Sequence, residues 1–273
     1  MIHLHDLRGL WRRALIAWPD GRSDSDTEVF WLQGPSLYAD LRVPLGRPAC
    51  PEAACLRDLD MAMLRFMATQ EGFFGRFDIA NAIGDWQRTF DYRPDNGLGD
   101  RGALAFEDGV LVERGLDAPY VEHWVRAGGG EAAALLLATE SGTPGCLVVV
   151  GANFIYARGR TTALPLGAKF SQLVDDAASL EASQDLFDCE ISFGRRGGDD
   201  WRIERSSHCF REGASLSPVL DEAGHTLSIA DASPDGATIT RTWRIAEQEG
   251  ATSRLFASDG ARNTTLEMAG AAR

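Results

Sequence analysis

Two segments of the chain spell Gly-x-Trp-x-Arg: Gly9-Leu10-Trp11-Arg12-Arg13 and Gly84-Asp85-Trp86-Gln87-Arg88. Trp201, in Asp200-Trp201-Arg202, is a looser echo. Each full copy opens a segment that alternates with period two, so its tryptophan and second arginine share a face. An indole with a guanidinium packed on its ring plane suits the closed end of a β-barrel. A guanidinium beside an apolar wall costs free energy unless it is hydrogen-bonded or paired. Arg88, flanked on its own face by Trp86 and Phe90, is therefore either a structural clamp or an anchor for the polar end of a ligand. The pairs Tyr38/Arg42 and Trp124/Arg126 pose the same choice. Trp31, Tyr92 and Asn153 complete the candidate lining of a pocket that joins apolar walls to a few placed polar groups.

The remaining motifs carry less chemistry. Gly97-Leu98-Gly99-Asp100-Arg101-Gly102 matches G-x-G-x-x-G, but a dinucleotide fingerprint must open a helix, and here a strand follows. Asp95 and Asp100 would also repel phosphate. Asp20, Asp24, Asp26 and Glu28 lack the ligand ladder of a calcium loop and read as a solvated hairpin tip. His3 and His5 share a face if the N-terminus is extended, yet no third metal ligand follows. His123 alternates with Val121 and Val125, as a hydrogen-bonded structural histidine does. There is no G-x-S-x-G elbow and no cysteine in a protease signature. No metal and no cofactor is expected. The five cysteines, Cys50, Cys55, Cys146, Cys189 and Cys209, are irregularly spaced and are expected to be reduced.

The elements that must position these side chains are mostly strands. Alternation with period two, broken by turn residues about every ten positions, predicts strands at 11–18, 27–33, 37–43, 73–79, 86–92, 103–106, 110–113, 120–126 and 133–139. On the third of these, Leu37, Ala39, Leu41 and Val43 occupy one face, and Tyr38, Asp40 and Arg42 the other. Asp108-Gly109 is a strong hairpin signal. The run 146–150 is apolar at every position and suits a strand covered on both faces. Further strands are predicted at 154–158, 189–193, 201–207, 226–229, 238–245 and 254–257. Helical spacing predicts two helices, at 55–70 and 168–180.

Composition narrows the function classes. The 273 residues carry a formal net charge of −13. A negative surface without a basic stripe argues against nucleic acid and anionic lipid. No apolar run is long enough for a transmembrane helix, and the N-terminus does not read as a secretory signal. A cytoplasmic location is expected. Lys169 is the only lysine. Its rarity beside abundant Ala, Gly and Arg reads as the coding bias of a GC-rich bacterial genome.

Gly-x-Trp at the head of the first strand resembles the lipocalin and wider calycin signature. Three stretches add to it: Trp31-Leu32-Gln33 with Tyr38-Ala39-Asp40-Leu41-Arg42-Val43-Pro44; Asp108-Gly109-Val110-Leu111-Val112-Glu113 with Tyr120-Val121-Glu122-His123-Trp124; and Leu147-Val148-Val149-Val150-Gly151. Together they resemble a family of uncharacterised fungal and bacterial proteins made of two lipocalin-like barrels, over roughly residues 10 to 160. That resemblance brings no catalytic or binding residues with it. The first segment is distantly similar to nitrobindin-type haem barrels, but Arg12-Arg13 replaces their glycine-rich continuation and no histidine is placed as an axial ligand.

The expected architecture is all-β and mainly antiparallel. It comprises a lipocalin-like up-and-down barrel over residues 1–160, a second, smaller lipocalin-like β-domain over 161–273, and two short helices. The expected function is binding of a small, partly apolar or amphipathic ligand, as a carrier or sensor, with its polar end on an inward arginine. A filled barrel acting as an interaction or assembly module, with a homodimer as one form of it, is the alternative. A lyase or isomerase using His123 or Tyr92 as acid or base is a third reading.

Overall fold

The first strand pairs along both of its edges, and that closes the first sheet. The structure is a computed structural model and describes residues 2–198 and 200–256. After a short helix α1 (Leu4–Leu7) come β1 (Gly9–Ala17), β2 (Ser23–Asp24), β3 (Glu28–Gln33) and β4 (Leu37–Val43). Helix α2 (Met61–Met67) precedes β5 (Glu71–Ala80), β6 (Ile83–Asp91), β7 (Arg101–Glu107), β8 (Val110–Gly115) and β9 (Val121–Gly128). All neighbours are antiparallel. β1 meets β3 through Gly9–Trp11 and β9 along most of its length, which makes a closed barrel of eight strands with β2 as an appendage. The hairpin at Asp108-Gly109 forms as its sequence demands, both residues having positive φ. Gly75 sits at a register shift between β5 and β6, where a Cβ would stand 1.9 Å from the Gln87 carbonyl oxygen. Only glycine allows that approach.

The chain changes sheet between Gly128 and Ala132. β10 (Ala132–Ala138), β11 (Pro144–Val150), β12 (Asn153–Arg158), β13 (Glu190–Gly197) and β14 (Asp200–Ser206) form a meander. β17 (Thr238–Glu249) pairs with the other edge of β10, followed outward by β16 (Thr226–Ala232) and β15 (Val219–Leu220). The strands curl into a half-barrel that remains open between β14 and β15. The chain is thus almost wholly antiparallel β, as its alternation predicts.

The helices differ in detail from the expectation. The stretch 55–70 is helical only as a 3-10 turn at Leu56–Asp58 and as α2, because the Asp60 carboxylate accepts a hydrogen bond from the Met63 amide and starts a new helix. The stretch 168–180 yields α3 (Phe170–Asp175), after which Ser179 caps a separate α4 (Leu180–Asp185). The N-terminus around His3 and His5 begins α1 rather than running extended. The strand expected at 254–257 is instead a helix α5 (Thr252–Leu255), and residue 257 lies outside the described residues. No helix among the described residues is long and apolar enough to cross a membrane.

Three cores follow from the two faces of each strand. The outward faces of β3, β4 and β5 carry Phe30, Leu32, Leu41 and Phe74. They pack on Val148, Ile155, Ile191 and Phe193 of the half-barrel. The other face of the half-barrel has its own core, including Leu147, Tyr156, Ile229 and Trp243. β11 is therefore buried on both sides, Cys146, Val148 and Val150 toward the barrel and Leu147 and Val149 away from it. The third core fills the barrel interior. Polar ties fix the two sheets together: Glu249 accepts from the amides of Ser36 and Leu37, and Arg160 donates to the carbonyls of Asp91 and Tyr92.

Cys50 and Cys209 are joined by a disulfide, 159 residues apart in sequence, which corrects the expectation that all five thiols are reduced. Cys55, Cys146 and Cys189 are free and buried. Thiol labelling of the denatured, unreduced protein is expected to modify these three alone, with a Cys50–Cys209 linked peptide in the digest. Labelling of all five would refute the pairing.

His208 is buried, with its Nε2 3.0 Å from the Phe187 carbonyl oxygen. Burial depresses its pKa from 6.5 to about 4. The unfolded chain takes up the proton first, so stability is full above pH 6.5 and declines as pH falls toward 4. The loss from this residue is about 3 kcal/mol at most. His208→Gln is expected to flatten the stability profile across that window in urea unfolding, and an unchanged difference between pH values would reject the assignment.

Candidate functional site

The inward face of the barrel is the mixed face of its strands, not the apolar one. On β4 it carries Tyr38, Asp40 and Arg42, while Leu37, Ala39, Leu41 and Val43 point out toward the half-barrel. Near the α1 end the interior is aromatic. Trp31 stands between Trp11, Trp86 and Trp124, with ring centroids 5.9, 5.6 and 5.3 Å away. Trp11 closes this end by donating from Nε1 to the Leu7 carbonyl of α1 at 2.7 Å. The guanidinium over its ring belongs to Arg126, 4.3 Å from the centroid. The Trp–Arg stacking expected within each Gly-x-Trp-x-Arg copy is therefore replaced by partners from other strands. Arg88 likewise lies over Phe73, at 3.8 Å, and not over Trp86.

The opposite half of the interior is charged. Arg13 donates to Glu122 and to Asp24, each at 2.9 Å. Arg42 donates to Asp40 at 2.9 Å and lies 3.5 Å from Glu122. Arg88 pairs with Asp91 and, at 2.7 Å, with Asp100. Burial opposes the charge on Arg42, but Asp40, Glu122 and Glu71 outweigh it and hold the guanidinium firmly protonated. Glu113 sits directly across from Glu122 in the β8–β9 ladder. Its two oxygens accept from the Tyr120 hydroxyl at 2.7 Å and the Trp124 Nε1 at 3.0 Å. Burial, and then the charge of Glu122, push its pKa well above the usual carboxyl range.

These side chains line a half-open chamber of about 100 Å³, with Trp31, Trp86 and Trp124 beside the charged groups of Arg42, Glu113 and Glu122 among others. A larger open cleft of about 790 Å³ lies at the mouth, where Phe90, Pro94, Leu98 and Leu164 stand among more numerous polar and charged side chains, Asp91, Asp95, Asp117 and Arg160 among them. Trp86, Arg88, Asp100 and Tyr120 line both spaces. They form the partition through which a molecule in the cleft would reach the chamber.

Of the residues singled out from sequence, Trp31, Arg42, Trp86, Arg88 and Trp124 come together around this chamber. Tyr38 belongs to the same interior, fully buried, and its hydroxyl has no hydrogen-bond partner. Tyr92 lies instead in the core between the two sheets, near Phe170 and Phe187. Arg126 is exposed at the α1 end, where it donates to the carbonyls of Arg8 and Asp6. Asn153 begins β12 in the half-barrel and donates to the Val150 carbonyl. His123 is on the outward side of β9, between the inward Glu122 and Trp124, so neither it nor Tyr92 reaches the chamber. The sequence reading did not single out Asp40, Asp100, Glu113, Tyr120 or Glu122. Alternation with Tyr38 and with Trp124 was the available signal for Asp40 and Glu122. Glu113 carried none.

No protein-family model matches the chain, and no curated protein matches it. Among solved structures the fold is similar to the crystal structure of an uncharacterized protein from Saccharomyces cerevisiae, with a TM-score of 0.50 and 11% identity. The match covers 88% of this chain and 98% of the yeast protein. At that identity the likeness concerns the fold alone.

Removing one member of a buried ion-pair network leaves its partners charged and unpaired, typically at a cost of about 3–5 kcal/mol. Arg42→Met is expected to destabilise the protein by roughly that amount in urea unfolding. Adding Asp40→Asn and Glu122→Gln is expected to recover part of it. Equal stability of Arg42→Met and the parent would show that the network contributes nothing.

Proposed function

We propose that the first barrel binds a small, partly apolar molecule, as a carrier or sensor, with its polar end in the chamber and its apolar part in the mouth cleft. The reading treats the barrel as lipocalin-like, a closed wall around one ligand. The observation that carries it is the chamber itself. Eight strands leave an interior just wide enough to be filled by side chains or to hold one small ligand. Here the aromatic half is filled, and the charged half retains space that opens toward a cleft. The joining of aromatic walls to a few fixed polar groups is the usual composition of a small-molecule site.

The sequence-based version placed the ligand's polar end on an inward arginine. The network alters that part of the reading, since Arg13, Arg42 and Arg88 each already face carboxylates. A competing reading, a filled barrel serving as an interaction or assembly module, draws support from the packed layer of Trp11, Trp31, Trp86 and Trp124.

Three tryptophans line the chamber, so intrinsic fluorescence reports on its contents. Titration with a panel of small amphipathic acids, alcohols and amines is expected to change the emission saturably for at least one class. Trp86→Ala is expected to weaken that binding. Absence of any saturable change, together with a mass that rises with concentration, would favour the assembly reading.

A further inference from the structure

Five carboxyl side chains are buried among the described residues: Asp40, Glu113, Glu122, Glu190 and Asp231. Four of them have a guanidinium within ion-pair distance. Asp40 has Arg42, Glu122 has Arg13, Glu190 has Arg211 and Asp231 has Arg241. Glu113 has only the neutral donors Tyr120 and Trp124. It is 3% exposed and lines the chamber. A buried carboxyl group without a cation either stays protonated or waits for one.

We propose that the chamber receives a small organic cation, an alkyl- or arylammonium group, with Glu113 as its counter-charge. This rests on the reading that the barrel takes a ligand at all, and it names the class. Four carboxyl groups line the chamber, Asp40, Asp100, Glu113 and Glu122, against two guanidiniums, Arg42 and Arg88. An anion would enter a site where carboxyl groups are in excess and both guanidiniums are engaged. A primary ammonium has three N–H donors, and carboxyl oxygens surround the space. The walls also suit a cation, because ring faces attract one. Arg88 over Phe73, and Arg42 at 5.1 Å from the same ring, already use the interior in that way. The partition of Trp86, Arg88, Asp100 and Tyr120 would let the head pass inward while an apolar tail stays in the cleft.

The test compares three probes of equal chain length, hexylammonium, hexanol and hexanoate, by calorimetry and tryptophan emission on the intact protein. Hexylammonium is expected to bind at least about tenfold more tightly than the other two, the scale of one charge-assisted hydrogen bond. Glu113→Gln keeps the size of the side chain and cannot ionise opposite a cation, and is expected to abolish that preference while binding of hexanol changes little. The comparison on the unaltered protein stands even if the variant fails to fold. Tighter binding of hexanoate or hexanol than of hexylammonium would overturn the cation assignment and leave the carrier reading intact. Silence from all three, and from the wider panel, would defeat both.

Discussion

A guanidinium taken inside an eight-stranded barrel must bring its counter-charges with it, and most of the interior follows from that requirement. Desolvating Arg13 and Arg42 costs several kcal/mol each unless carboxylates lie within hydrogen-bond distance, and the partly exposed Arg88 is paired in the same way at the mouth. The barrel supplies them from different strands. β4 carries both Arg42 and Asp40, β9 carries Glu122, and Asp91 and Asp100 flank Arg88 from the ends of β6 and the following loop. Such a network specifies strand register as firmly as an apolar core. A one-residue slip of β9 would carry Glu122 to the outside and strip Arg13 and Arg42 of the carboxylate they share.

The charged interior is possible because hydrophobic burial is achieved elsewhere. The outward faces of β3, β4 and β5 are apolar and are covered by the half-barrel. β11 and β12, buried on both faces, form the plate between the two cores. The ordinary division of a barrel strand, apolar toward the lumen and polar toward water, is thus reversed along this flank. The lumen then has no need to be uniformly apolar. It can combine an aromatic layer that closes one end with a polar layer that leaves space at the other.

This reversal explains what the sequence revealed and what it hid. Period two located the strands and separated Tyr38, Asp40 and Arg42 from Leu37, Ala39 and Leu41, because side chains alternate strictly across a pleat. It did not say which face is the lumen, since that depends on where the second sheet packs. Trp86, Arg88 and Trp124 were legible as inward residues because large aromatics with a charged neighbour two positions away rarely sit on an open surface. Tyr92 and Asn153 carry no such signal, and tertiary packing places them at the sheet junction. The opposition of Glu113 and Glu122 arises from a hairpin register, and the Cys50–Cys209 pairing from contacts between segments 159 residues apart. Neither has a local signature. The helices came out shorter than their periodicity because Asp60 and Ser179 interrupt them with caps.

The half-barrel provides the internal control for the significance of Glu113. Its concave face repeats the same design, apolar rings beside a polar cluster. Tyr156 and Trp243 lie next to Arg158, Glu190, Arg211, Asp231 and Arg241. There each buried carboxylate meets a guanidinium, so charge is neutralised within the fold. The barrel follows the same rule at Asp40 and Glu122 and breaks it at one position, which faces the half-open chamber. A sequence can leave a buried acid without a cation by accident. When the exception coincides with the chamber, and every comparable group in both sheets obeys the rule, the economical explanation is that the missing charge comes from outside the chain.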